Sequence, residues 1–189
     1  MASSNTELDV ANRALQKLGV KEVTSLVDIK DKRVKAILNC LDSTRDRLLR
    51  ENPWNFASKR VSISSDASVP VWEFKYNYRL PADFLYLTEI LGDPNYLMEG
   101  EFIASDNTSP LKIRYVSRMT DTTRFDSSMT EAWASLMAYE MCMRLEGDMA
   151  LRDRLEREYE LSIVRAKKFD GQEDHSQESP EDELIQLRS

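Results

Sequence analysis

The stretch Arg45–Ser64, RDRLLRENPWNFASKRVSIS, changes its periodicity part-way through, and that change decides the fold. Before it, Val34, Ile37, Leu38, Leu41 and Leu48 recur at helical spacing and make one apolar stripe, with Arg45, Arg47 and Arg50 falling largely off it. Pro53 disfavours the helical conformation at Asn52, so the helix must stop there. From Val61 the apolar residues alternate instead, as in a half-buried strand. Pro53, Trp54 and Phe56 are therefore expected to form a structural joint between a helical part and a sheet, held by packing of the two aromatic rings.

Working towards the N-terminus, Asp28 offers an N-cap for this helix. Ser4 with Glu7 three residues later carries a capping-box signature for a first helix, in which Leu8, Ala11, Ala14, Leu15 and Leu18 recur before Gly19 stops it. Towards the C-terminus, VWEFKYNYRL (residues 71–80) alternates Trp72, Phe74, Tyr76, Tyr78 and Leu80 with polar residues, which predicts a long strand whose aromatic face packs against the helices. Phe84–Leu91, Tyr96–Ala104 and Leu111–Val116 predict further strands, separated by the turn residues Gly92-Asp93-Pro94-Asn95 and Ser105-Asp106-Asn107.

Helical spacing returns after Phe125. Asp126 or Ser128 caps a helix that has almost no polar face between Ala132 and Leu145, so it must be covered on several sides. Gly147 breaks it and Asp148 caps the next, where Leu151, Leu155, Tyr159, Ser162, Ala166 and Phe169 form a narrow seam. The fold class is mainly α with a small antiparallel β insertion (α+β), in the order helix-helix, sheet, helix-helix. One domain of residues 1–170 is expected, with a helical bundle from 4–52 and 126–170, a β insertion at about 58–118, and an acidic C-terminal tail at 171–189.

Composition limits the functions available. Hydrophobic content of 41% with 31% charged residues is that of a globular chain, and 189 residues suffice for one core. Neither a signal peptide nor an apolar run of about 20 residues is present, so no membrane insertion is expected. The net charge is −7. From Gly171 onward six acids face Arg188 alone, a balance of −5, which leaves −2 for residues 1–170. Such a body lacks the basic footprint of a nucleic-acid binder. Cys40 and Cys142 read as buried free thiols.

The chemistry-bearing residues are sparse. The single histidine, His175, stands in the acidic tail, where it offers no base to a serine or cysteine nucleophile. No phosphate loop and no metal-ligand spacing occurs, so no catalytic, cofactor or metal site is expected. The carboxylate pairs Asp126 with Glu131 and Asp83 with Glu89 suit a glycan hydrolase in principle, but stand where caps and strand edges ordinarily place acids. The basic cluster Arg45, Arg47, Arg50, Lys59 and Arg60, offset by Asp46 and Glu51, reads as a solvated face or a subunit contact. Arg152, Arg154 and Arg157 on the last helix are the other charged surface expected at a subunit interface. In the tail, Ser179, Pro180 and Asp182 mark a helix start before Leu184, Ile185 and Leu187, a stretch too short to fold alone and expected to dock in an apolar groove of a partner or an adjacent subunit with the acids as a polar rim, folding back on its own helices being the alternative.

Taken in order, ANRALQKLG, SLVD, RDRLLRENPWNFASKR, YNYRLPADFL and IRYVSRMTDTTRFDSSMTEAWASLMAYEM resemble the tail tubular protein A family, the head-to-tail adaptors of short-tailed bacteriophages. The similarity runs from about Leu8 to Phe169, departing at Ser127, where a proline would be expected, and in the tail. It implies a non-enzymatic virion protein, assembled in the host cytoplasm, that forms a twelve-copy ring between the portal protein and the tail nozzle protein. Tail fibres would attach nearby, and genomic double-stranded DNA would pass through the lumen without specific binding. The alternatives left open are a virion-associated glycan hydrolase using Asp or Glu carboxylates and a cytosolic helical scaffold.

Overall fold

The structure, a computed structural model, describes residues 6–92 and 94–174. Among these, four α-helices and two three-stranded antiparallel sheets occur in the order helix-helix, strands, helix-helix, an α+β fold. The chain divides into two compact units, one formed up to Thr44 and from Thr122 onward, the other by Arg45–Asp121.

The first unit is helical. Helix α1 (Glu7–Lys17) starts at Thr6, whose Oγ1 accepts from the Asp9 amide at 3.2 Å while the Thr6 amide donates to Asp9 Oδ2 at 3.0 Å. The capping box thus sits two residues later than the expected Ser4–Glu7 pair; Ser4 lies outside the described residues. Gly19, at φ +74, ends the helix as expected.

Helix α2 (Lys32–Arg50) begins four residues after the expected cap. Asp28 instead closes a local turn, accepting from the Lys30 amide at 3.1 Å, and Asp31 accepts from the Arg33 amide at 2.8 Å. Val34, Ile37, Leu41 and Leu48 of the predicted stripe are buried, but Leu38 is exposed; Ala36, on another face of the helix, is buried as well.

Helix α3 (Ser127–Leu145) is capped by Asp126, whose Oδ1 accepts from the Met129 amide at 2.6 Å. Every residue from Ala132 to Ala138 is buried, as its lack of a polar face requires. Trp133 is wholly enclosed, its Nε1 donating to Thr44 Oγ1 of α2 at 3.0 Å and its ring meeting Phe125 edge-on. Helix α4 (Met149–Asp174) packs along α3, burying Leu155, Tyr159, Ser162, Ile163 and Ala166. Ile163, off the predicted seam, is buried, while Phe169 at its end is exposed.

The second unit carries the strands β1 (Ser58–Ile63), β2 (Tyr76–Arg79), β3 (Phe84–Ile90), β4 (Tyr96–Glu99), β5 (Phe102–Ser105) and β6 (Leu111–Ser117). One sheet has the order β1-β6-β3 and the other β2-β5-β4, every pairing antiparallel. Tyr78 and Ile103 from one sheet meet Ile90, Leu111, Ile113 and Tyr115 from the other in a common core.

The long strand expected over residues 71–80 is cut to four residues. Glu73 has φ +74, and the Phe74 amide donates back to the Trp72 carbonyl at 2.9 Å, closing a three-residue turn of a rare kind. That turn breaks the alternation of faces. Trp72 is 76% exposed and Val71 98%, so the expected packing of Trp72 does not occur, while Phe74 and Tyr78 are buried.

Candidate interaction surfaces

The corner at Pro53 lies wholly within the strand-bearing unit. Trp54 is 1% exposed, its Nε1 donating to the Leu48 carbonyl at 2.9 Å and its ring stacked on Phe56 at 6.0 Å between centroids. Its own carbonyl accepts from the amides of Ala57 and Ser58, which turns the chain into β1. The Ala57 carbonyl in turn accepts from both the amide and the hydroxyl of Ser117 on β6, each at 2.9 Å. Pro53, Trp54 and Phe56 therefore join the last turns of α2 to the β1-β6 ladder.

The expected ring-interface arginines divide. Arg47, Arg50, Arg154 and Arg157 are exposed. Arg45 is not: it is 4% exposed and stands 3.4 Å from Asp46, a buried charge rather than part of a solvated face. Arg152 is half-buried, its guanidinium 4.6 Å above the Tyr139 ring and donating to the Tyr139 hydroxyl at 2.7 Å. That contact turns the guanidinium towards Tyr139 on α3. The docking residues Leu184, Ile185 and Leu187 lie outside the described residues.

The carboxylate pairs are engaged structurally. Asp126 caps α3, and Glu131 accepts from Lys17 Nζ at 2.5 Å, the same ammonium that reaches Glu158 on α4. Burial works against the Lys17 charge, but the two glutamates outweigh it and hold the pKa above its ordinary value. Asp83 accepts from Lys59 at 2.5 Å and from the Tyr115 hydroxyl at 2.8 Å. Desolvation would raise that carboxyl; the two donors together hold it below the usual range. Burial first, and the Asp83 hydrogen bond second, push the Tyr115 phenol up to about 12. The carboxyls of Asp9, Asp31 and Asp66 are likewise held below the usual range, each by hydrogen bonds from neighbouring groups.

The sequence reading missed one surface. In β6, Lys112 and Arg114 alternate with Leu111, Ile113 and Tyr115, so the apolar residues enter the common core and the cations take the other face. The register sets Arg60 of β1 directly opposite Arg114, with Glu89 of β3 opposite Arg114 on its other side and 3.4 Å from its Nε. These residues and the exposed Leu91 line a depression of about 330 Å³ on the β1-β6-β3 sheet. Neither Arg60 nor Lys112 has an ion-pair partner among the described residues. The alternation Leu-Lys-Ile-Arg-Tyr was the available signal, but only strand pairing brings Arg60 to it.

No protein-family model matches this sequence, and no curated protein matches it. Among the described residues no helix is long and apolar enough to cross a membrane, and no group of three or more metal-ligating side chains comes together.

Proposed function

We propose that the chain is a head-to-tail adaptor of the tail tubular protein A kind, one subunit of a ring between the portal and the tail nozzle of a short-tailed bacteriophage virion. The observation that carries the reading is where the resembling segments fall. RDRLLRENPWNFASKR is the corner that joins α2 to β1; YNYRLPADFL spans β2 into β3; the last and longest segment runs from β6 through the cap of α3. Each holds a large enclosed side chain, Trp54, Tyr78 and Trp133 respectively. The likeness thus covers residues that fix the geometry of the chain.

The charge distribution fits a channel wall. Each phosphate neutralised by Lys or Arg adds salt-dependent affinity for DNA, and a body of net charge −2, with a further −5 in the tail, avoids that grip. A ring closes by one heterologous contact repeated around an axis, so two different faces of the subunit must be complementary. Exposed Arg154 and Arg157 on α4 supply a charged surface for one of them.

Electron microscopy of the purified chain, alone and mixed with portal rings of a short-tailed phage, tests this. The expected result is a ring seated coaxially on the portal. A chain that stays monomeric and separates cleanly from the portal on gel filtration refutes it.

A further inference from the structure

The β1-β6-β3 face holds a charge arrangement that the fold itself does not require. Like charges directly opposite one another on paired strands are destabilising, and Arg60 faces Arg114 with Lys112 one step along the same face. Glu89 offsets a single cation, which leaves the depression with an excess of two positive charges beside the exposed apolar side chain of Leu91. A ligand for this face needs acids adjacent to apolar groups. Double-stranded DNA fits poorly, because Glu89 repels phosphate and Leu91 offers it nothing.

The chain contains a matching sequence. In SPEDELIQL (residues 179–187), Glu181, Asp182 and Glu183 are followed at once by Leu184, Ile185 and Leu187. We propose that the C-terminal segment of one copy docks on the β1-β6-β3 face of another copy, its acids against Arg60, Lys112 and Arg114 and its apolar residues against Leu91 and the aliphatic stems of those cations. Residues 175–189 span at most roughly 50 Å when extended. The contact rests on the ring reading only for the presence of a second copy.

Two measurements on the full chain test it. Arg60→Cys in one preparation and Glu183→Cys in another are mixed and oxidised. The native thiols compete poorly, because burial pushes Cys40 up to about 12 and also raises Cys142. A disulfide-linked heterodimer supports the proposal; its absence, or a bond formed only within a chain carrying both substitutions, overturns it. In the second, a labelled peptide of residues 178–189 is titrated onto the parent and onto the Arg60→Glu, Lys112→Glu double variant. Both positions are exposed, so the variant should keep the fold. Binding should weaken at least ~10-fold and be restored by a peptide with Lys at 181, 182 and 183, as expected of a charge-complementary interface. Equal binding to parent and variant, or a DNA duplex that takes the face more tightly than the peptide, overturns the proposal. Rings without peptide binding leave the adaptor reading standing and remove this one; binding without rings does the reverse.

Discussion

Replacing Trp54 by alanine should unfold the corner on which the second unit is built. The ring is 1% exposed, and emptying a site of that kind costs about 3–5 kcal/mol in lost transfer energy and residual cavity. The hydrogen bond adds less than its burial suggests, because the Leu48 carbonyl also accepts from the Glu51 amide at 3.1 Å and would not be orphaned. Its loss is worth about 0.5–1.5 kcal/mol. Trp54→Phe keeps most of the volume and a ring to stack on Phe56, so it should cost only about 1–2 kcal/mol. The assay is urea unfolding together with hydrogen exchange at the Ser117 amide, which donates to the Ala57 carbonyl just beyond the corner. Exchange there should accelerate roughly a hundred- to several-thousand-fold in the alanine variant if it proceeds through unfolding of this unit. An alanine variant within about 1 kcal/mol of the parent refutes the packing account, and a phenylalanine variant as unstable as the alanine one transfers the effect to the hydrogen bond.

Lys17→Met should destabilise the helical unit by about 1–2 kcal/mol at neutral pH, since it leaves Glu131 and Glu158 facing each other without their cation. The folded-state pKa of Lys17 lies above its ordinary 10.5, so the contribution is complete below that value and is lost as pH rises through the folded one; the parent-to-variant difference in urea midpoints should be flat through neutral pH and shrink above about 10.5. Trp72→Ser should change stability by less than about 0.5 kcal/mol, with acrylamide quenching showing Trp72 as the accessible indole of the three. Arg154→Glu with Arg157→Glu should leave the monomer's melting curve within about 0.5 kcal/mol of the parent while blocking ring formation by electron microscopy; normal rings from that variant remove α4 from the interface.

What the sequence determined by itself was local. The stop at Pro53, the break at Gly147 and the absence of a polar face on α3 each follow from a few neighbouring residues, because dihedral limits act within one or two turns, and local residues narrow the cap of α3 to Asp126 or Ser128. The order of helices and strands was legible for the same reason. Cap positions at the first two helices slipped because several acids and hydroxyls compete there, and it is Thr6 with Asp9, and Asp31 with Arg33, that make the local hydrogen bonds.

Tertiary structure decided the rest. Trp72 sits on the apolar face by alternation and is exposed, because one left-handed residue at Glu73 ends the strand, whereas Arg45, four residues after Leu41 and three before Leu48, is buried where helical spacing puts it despite its charge. The meeting of Arg60 with Arg114 depends on strand pairing across more than fifty residues of chain. Periodicity says which residues share a face of one element. Which face meets which is fixed by contacts distant in sequence, and that is why the basic depression came to view only with the register of β1 on β6.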